Sequence, residues 1–230
     1  MTTRTIVLWD IDNTLLYTAG AGRIGLGRAF RDLYGVEDAF RSIDVSGRTD
    51  SAIFRDAAIE HGLEPGHALA DLPRFIDLYI PHLEAAFGEV EGGVLKPGVP
   101  DVLRELGSRS DVVQGLGTGN FREAARAKLR HFAIAEHFPA CDGGFGDDAH
   151  DRAEVIRIGI ERLVAGGGVP RRIVVVGDTP HDVSAAKANG AVAVAVATGR
   201  DSAAELLACG ADVALDDLAD VERALRAILG

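Results

Sequence analysis

Four short apolar runs recur along the chain, at residues 5–9, 112–116, 173–176 and 192–196, each followed by a longer stretch of helical character. Runs with no polar alternation fit strands covered on both faces. Their alternation with helices predicts an α/β fold, a Rossmann-like parallel sheet core with right-handed crossovers and helices on both faces. Asp212-Val213-Ala214-Leu215 adds a short edge strand, and residues 218–229 a closing helix. Between Leu16 and Gly92 the rhythm stops. That stretch has no strand-like run, yet Ile24, Leu26, Ala29, Phe30 and Leu33, and again Leu78, Leu83, Ala86 and Phe87, are spaced as on amphipathic helices. The expected organisation is therefore a core of residues 1–15 and 93–230 with a small all-helical cap, residues 16–92, inserted after the first strand. Gly20-Ala21-Gly22 marks the exit to the cap, Gly92-Gly93 and Lys96-Pro97-Gly98 the return. Residues 166–170 read as a glycine-rich loop before the third strand.

Composition narrows the function classes. Among 230 residues, 24 Lys+Arg face 35 Asp+Glu, a net charge of −11 that argues against a nucleic-acid partner. Hydrophobic residues at 47 % exclude a disordered chain. Two cysteines, Cys141 and Cys209, form no CxxC pair and read as reduced thiols. Asp10 and Asp12 interrupt the first apolar run before signal-peptide length, and no stretch is long enough to span a bilayer. A cytoplasmic protein without a membrane partner is expected, as monomer or homodimer.

Candidate chemistry gathers where α/β sheets place their sites, beyond the carboxyl ends of strands. The first run leads into Asp10-Ile11-Asp12-Asn13-Thr14, the second into Gly117-Thr118-Gly119-Asn120, and the third into Gly177-Asp178-Thr179-Pro180-His181-Asp182. Asp10, Asp12 and Asp178 would meet at one mouth. Two like charges about 4 Å apart repel by about 1 kcal/mol in water and about 4 kcal/mol at an effective dielectric of 20. Such a cluster calls for a cation, and all-oxygen ligands select Mg²⁺, which shares its coordination with a substrate phosphate. A carboxylate beside that ion can attack phosphorus, which makes Asp10 the candidate nucleophile and Asp12 the candidate acid and base. The Thr118 hydroxyl and the Gly119 N–H, read as opening a helix, are placed to hold phosphoryl oxygens, with Asn120 beside them. His181 has no zinc spacing and reads as helix surface.

Taken in order, Asp10-Ile11-Asp12-Asn13-Thr14, Thr118, and Gly177-Asp178 followed by Asp182 resemble motifs one, two and four of the haloacid dehalogenase superfamily. The inserted helices resemble the cap of its phosphoglycolate phosphatase-like branch. The resemblance implies Asp10 as nucleophile, Asp12 as acid/base, and Mg²⁺ held by Asp10, the Asp12 backbone carbonyl and Asp178, with Asp182 beside the metal or one of its waters. It implies a third motif too, usually a Lys bridging nucleophile and phosphate. No Lys lies between Phe138 and Gly168, so Arg152 takes that place, with Arg157 second. Asn13 stands where the family more often has Gly, a change Asn tolerates because it also accepts turn conformations.

The cap would choose the substrate. It carries 7 Arg, no Lys and 13 acids, a net −6, so any second anionic group must meet a placed arginine. Arg48, in Ser46-Gly47-Arg48-Thr49-Asp50, and then Arg23 are the candidates. The first Lys is Lys96, which removes the cap Lys that a phosphonoacetaldehyde hydrolase needs, and Asp12 favours phosphoryl over carbon–halogen chemistry. The expected function is a Mg²⁺-dependent phosphatase acting through an aspartyl-phosphate on a small phosphorylated metabolite, phosphoglycolate by default. A β-phosphoglucomutase-like mutase and a non-catalytic phosphate-binding regulator are the alternatives. A receiver domain phosphorylated on Asp is disfavoured by the helical insertion and the length.

Overall fold

In the computed structural model, which describes residues 3–138, 142–165 and 169–230, the first apolar run is strand β1 (Thr3–Trp9). The chain then makes strand β2 (Leu16–Tyr17), passes through helices α1 (Ala21–Tyr34), α2 (Asp50–Glu60) and α3 (Pro65–Phe87), and returns by strand β3 (Val94–Leu95), antiparallel to β2. After that, helix and strand alternate. α4 (Val99–Gly107), β4 (Val112–Gly117), α5 (Arg122–His131), β5 (Gly143–Gly144) and α6 (Arg152–Ala165) come first. β6 (Val169–Gly177), α7 (Pro180–Ala188), β7 (Val192–Val196), α8 (Ala203–Ala208), β8 (Val213–Leu215) and α9 (Val221–Leu229) complete the chain.

Six strands form one parallel sheet in the order β5-β4-β1-β6-β7-β8. Its apolar runs are continuous because both faces are covered. Val7 and Trp9 of β1, with Val174 and Val176 of β6, pack against Val102, Leu103 and Leu106 of α4 and Ala224 and Ile228 of α9. Ile6 and Leu8, with Val175, pack on the other face against Ile156 of α6, Val183 of α7 and Leu206 of α8. β1 and β6 are central, so the loops that follow them open at the middle of the sheet.

The cap helices build a separate aromatic core. Phe54 stacks on Phe75 at a centroid distance of 4.3 Å, and Phe30 meets Phe40, Phe54 and Phe75 edge-on. Phe121, Ala124 and Ala127 of the α5 region join this cluster, so cap and sheet domain share a continuous apolar seam.

Several boundaries differ from the sequence reading. The stretch 16–92 does contain a strand, β2, and its ribbon with β3 runs across the expected domain border. Three helices fill the cap, of which α1 and α3 carry the two apolar patterns and α2 lies between them. α2 buries Ile53 and Phe54 side by side, and its other buried apolar residues are the small Ala52, Ala57 and Ala58, which leave no conspicuous apolar stripe, and α3 continues through Pro73 and Pro81. Val169 and Pro170 belong to β6, not to a loop, and Pro170 sits beside a shift in the β1–β6 register, where a strand tolerates the missing N–H. The closing helix starts at Val221, where the Asp220 carboxylate accepts the Arg223 N–H. Cys141 and the glycines Gly166, Gly167 and Gly168 lie outside the described residues. Cys209 is a free, exposed thiol. Among the described residues no helix is long and apolar enough to cross a membrane.

Candidate active site

The Asp10 N–H donates to the Val176 carbonyl at 2.9 Å, which extends the strand geometry one residue beyond β1 and sets the Asp10 side chain at the sheet mouth, where it is buried. Asn13 turns the following loop at φ 60°, the left-handed conformation that Asn tolerates. That turn brings Thr14 under Asp178, and its hydroxyl donates to Asp178 Oδ1 at 3.1 Å.

Asp10, Asp178 and Asp182 are all buried, and each offers a carboxylate oxygen within 4.8 Å of the others. Arg152, at the start of α6, is buried among them. Its Nη2 donates to Asp10 Oδ1 and to Asp182 Oδ1, both at 2.7 Å, and its Nε to Asp182 Oδ1 at 3.2 Å. The second Asp182 oxygen accepts the Thr179 N–H at 3.1 Å and hydroxyl at 2.7 Å, the capping box that starts α7. Both Asp182 oxygens thus accept donors and tie Arg152 to the loop that starts α7, whereas the second Asp178 oxygen meets no donor among the described residues. A Cβ at Gly199 would overlap that second oxygen, so only glycine lets the backbone pass so closely.

The electrostatics of this cluster ask for a cation. Burial raises Asp10 to about 6, against the pull of Arg152, with Asp182 adding to the rise. Burial likewise raises Asp178 to about 8, helped by the charges of Asp10 and Asp182 and opposed by the Thr14 hydrogen bond. Arg152 loses solvation too, but Asp182 and Asp10 more than offset that and hold its proton more firmly than usual. One guanidinium among three buried carboxylates leaves negative charge uncompensated, and a hard divalent ion fits that donor set.

Asp12 faces a different group. Its Oδ2 accepts from Asn120 Nδ2 at 2.8 Å and from Lys128 Nζ at 2.6 Å. Asn120 Nδ2 also donates to Thr118 Oγ1 at 2.8 Å, and Asn120 Oδ1 accepts from Lys128 Nζ at 2.5 Å. Thr118 is fully buried at the end of β4. Gly119 and Asn120 precede α5, which starts only at Arg122, so the Gly119 N–H is not in a helical first turn as expected. Phe121 holds an extended backbone there while its ring enters the cap core.

Lys128 is the site residue the sequence reading missed. It is 3 % exposed, on the same buried stripe of α5 as Ala124 one turn before. A Lys at a core-facing helical position is a signal, but the dense charge of Arg122-Glu123-Ala124-Ala125-Arg126-Ala127-Lys128 hides which face is which.

The cap docks on this mouth through the start of α2 and the loop before it. The Asp50 N–H donates to the Gly119 carbonyl at 2.7 Å, and Asp50 Oδ2 accepts the Phe121 N–H at 2.9 Å. The Thr49 hydroxyl reaches the His150 carbonyl at 2.8 Å, and the His150 Nδ1 lies 2.8 Å from the Ser51 hydroxyl. A Cβ on Gly119 would overlap the Arg48 carbonyl. Burial raises the Asp50 carboxyl to about 7, with Lys128 and the Phe121 N–H pulling the other way.

Between cap and sheet lies a cavity of about 990 Å³ lined by Asp10, Asp12, Asn120, Lys128, Arg152 and Asp178 on one side and by Arg23, Arg48 and Tyr79 on the other. The expected substrate arginines are engaged locally. Arg48 Nη2 pairs with Asp56 at 2.5 Å and Nη1 donates to the Asp44 carbonyl at 3.2 Å. Arg23 donates to the carbonyls of Phe40 and Ile43, fastening the α1–α2 loop. Arg157 is exposed and paired with Glu154 and Glu161, away from the carboxylates.

A family model described as haloacid dehalogenase-like hydrolase matches residues 5–190. The chain belongs to that family of hydrolases. It is 32 % identical over 136 residues to the phosphoglycolate phosphatase of Synechococcus elongatus, a match covering 59 % of this chain and 61 % of that relative, less than two thirds of its length. Among solved structures, a predicted phosphatase from Clostridium acetobutylicum superposes with a TM-score of 0.69 at 18 % identity, covering 97 % of this chain and 99 % of that one. A protein described as a candidate β-phosphoglucomutase from Thermotoga maritima gives 0.61 at 23 %, with the same coverage. These likenesses share the fold, capped sheet included.

Proposed function

We propose that the chain is a Mg²⁺-dependent phosphatase that hydrolyses a small phosphomonoester through a phosphorylated Asp10, with phosphoglycolate as the default substrate. The observation that carries this reading is the Asp10 carboxylate, held by Arg152 at 2.7 Å within a buried group of three acids at the sheet mouth. Asp10, Asp178 and the Asp12 backbone carbonyl would hold the ion, which supplies charge neutralisation of the phosphoryl group.

The chain's own groups divide the reaction. An Asp10 oxygen attacks phosphorus, the bond to the ester oxygen breaks, and Asp12 gives its proton to the departing alcohol. Water then attacks the acyl phosphate, Asp12 takes its proton, and phosphate leaves with Asp10 restored. Arg152 fixes the approach of Asp10 and offsets charge on both oxygens it touches. The Thr118 hydroxyl and Gly119 N–H hold phosphoryl oxygens. Gly119 also receives the cap loop, so the same residue that binds phosphate senses closure, which excludes water.

The default substrate rests on the Synechococcus relative, and the placed arginines Arg48 and Arg23 are the groups that would meet a second anionic end. A phosphomutase would use the same residues and pass the phosphoryl group to a second sugar oxygen instead of water. The similarity to the Thermotoga protein favours keeping that reading. Hydrolysis of an aryl phosphate with Mg²⁺, abolished by chelation and by Asp10→Asn, tests the proposal. Full activity in either condition contradicts it, and a protein inert toward a broad ester panel would favour a non-catalytic phosphate-binding regulator.

A further inference from the structure

The proposed reaction gives Lys128 no task, yet this buried ammonium touches two residues of the site. An ammonium is all donor, so the Asn120 atom it meets at 2.5 Å must be the amide oxygen. That fixes the other end of the amide. Nδ2 then faces Thr118 Oγ1 and Asp12 Oδ2, each at 2.8 Å. Thr118 Oγ1 also lies 3.3 Å from the Asn120 backbone N–H, so it receives two donors, and it donates to no protein group among the described residues. A hydroxyl has one proton and two lone pairs. With its lone pairs taken, Thr118 keeps its proton for a ligand. On Asp12, Oδ2 is occupied by both Asn120 and Lys128, so Oδ1 is the oxygen with no donor among the described residues.

We propose that Lys128 is a positioning residue that sets the direction of the hydrogen-bond chain Lys128 to Asn120 to Thr118, reserving the Thr118 proton for a phosphoryl oxygen, and clamps Asp12 so that Oδ1 serves the leaving group. The proposal rests on the phosphatase reading for its substrate. Without the ammonium the Asn120 amide is free to turn over. A reversed amide puts its oxygen on Thr118, takes the hydroxyl proton, and presents a carbonyl oxygen to Asp12. One cation thus couples the group that holds phosphate to the group that serves the leaving oxygen.

The test compares wild type, Lys128→Met, Lys128→Arg, Thr118→Val and the Lys128→Met/Thr118→Val double variant, all with Mg²⁺. Binding of inorganic phosphate by calorimetry comes first. Lys128→Met should weaken it about tenfold, the scale of one hydrogen bond to an anion. The double variant should bind no more weakly than Thr118→Val alone, because the same donation is already lost. Fully additive losses would overturn the chain. The second readout is kcat/KM for an alkyl phosphate against p-nitrophenyl phosphate, whose leaving group needs little proton assistance. Lys128→Met should lose at least about tenfold more on the alkyl ester, a fraction of a general acid's full effect, and Lys128→Arg should recover most of it. Equal losses on both esters would overturn the clamp on Asp12. Should Lys128→Met fail to fold, Lys128→Arg decides: phosphate affinity near wild type supports the chain, and a loss as large as in Thr118→Val overturns it. A wild type that hydrolyses neither ester refutes the phosphatase reading alone, since the phosphate-binding cycle still reads the Asn120 orientation.

Discussion

The sheet mouth and the cap wall hold charge in opposite ways. At the mouth, Arg152 is buried between Asp10 and Asp182, and Lys128 between Asp12 and Asn120. Each cation is held by carboxylates from distant parts of the chain, Arg152 by Asp10 and Asp182 and Lys128 by Asp12. On the cap wall, Arg48 pairs with Asp56 of α2 and Arg23 of α1 with carbonyls of the α1–α2 loop, all within the cap, and both remain partly open to solvent. A buried charge without its partner is strongly destabilising, whereas an exposed pair contributes little. The mouth's cations are therefore costly to part from their partners, whereas those on the cap wall can exchange partners at little cost. A fold arranged in this way can keep one reaction while its substrate changes.

The largest contrast is expected at Asp10, the proposed nucleophile. Asp10→Asn should lower turnover at least about a thousandfold, the scale seen when a nucleophile is removed, while Arg48→Ala leaves turnover at saturation within a few-fold; comparable losses would erase the distinction between mouth and wall. Arg152→Met should cost about 3–5 kcal/mol of stability in the metal-free protein, because it strands two buried carboxylates. Denaturant unfolding measures it, and a loss below about 1 kcal/mol would show the cluster to be less buried than its geometry. Mg²⁺ at about a hundred times its Kd should add about 2.7 kcal/mol to wild type, visible as a higher Tm, and nothing comparable to Asp178→Asn.

The cap latch gives a smaller, pH-dependent effect. Asp50 is raised from 3.8 to about 7 in the folded protein, so between those values the folded state binds more protons than the unfolded one. Its contribution to stability is present at low pH and is lost as pH rises through about 7. Asp50→Asn should flatten that slope and gain at least about 1 kcal/mol at pH 8, since each tenfold change in proton affinity is about 1.4 kcal/mol. An unchanged slope would place the titration elsewhere. The smallest effect is expected on the stability of Arg48→Ala, under about 1 kcal/mol because its ion pair is partly exposed, with the change appearing in KM across a panel of phosphate esters. An unaltered ranking and KM would remove Arg48 from substrate choice.

The same contrast explains what the sequence could show. Asp10, Asp12, Thr118 and Asp178 each follow an apolar run, and a parallel sheet brings the ends of such runs together, so their meeting is legible without coordinates. Arg152 is legible by elimination and by its place at a helix start. Lys128 is not, because its burial depends on Asp12 reaching it from 116 residues away. Nor is Asp50, whose partner Phe121 is 71 residues away. The arginine partners were hidden for a related reason: whether Arg48 meets a substrate or Asp56 depends on how a cap loop packs, and loop packing leaves no periodic trace. Helix α2 was obscured by its alanines, and β5 by being only two glycines long.

The most direct measurement is chemical trapping of the enzyme during turnover. Acid quenching in the presence of an aryl phosphate and Mg²⁺, followed by borohydride reduction and peptide mass spectrometry, reads which carboxyl carried the phosphoryl group. Reduction confined to position 10 is the result expected. Reduction at Asp12 or Asp178, or phosphate release with no trapped carboxyl under conditions where hydrolysis of the intermediate limits the rate, would contradict the role given to Asp10.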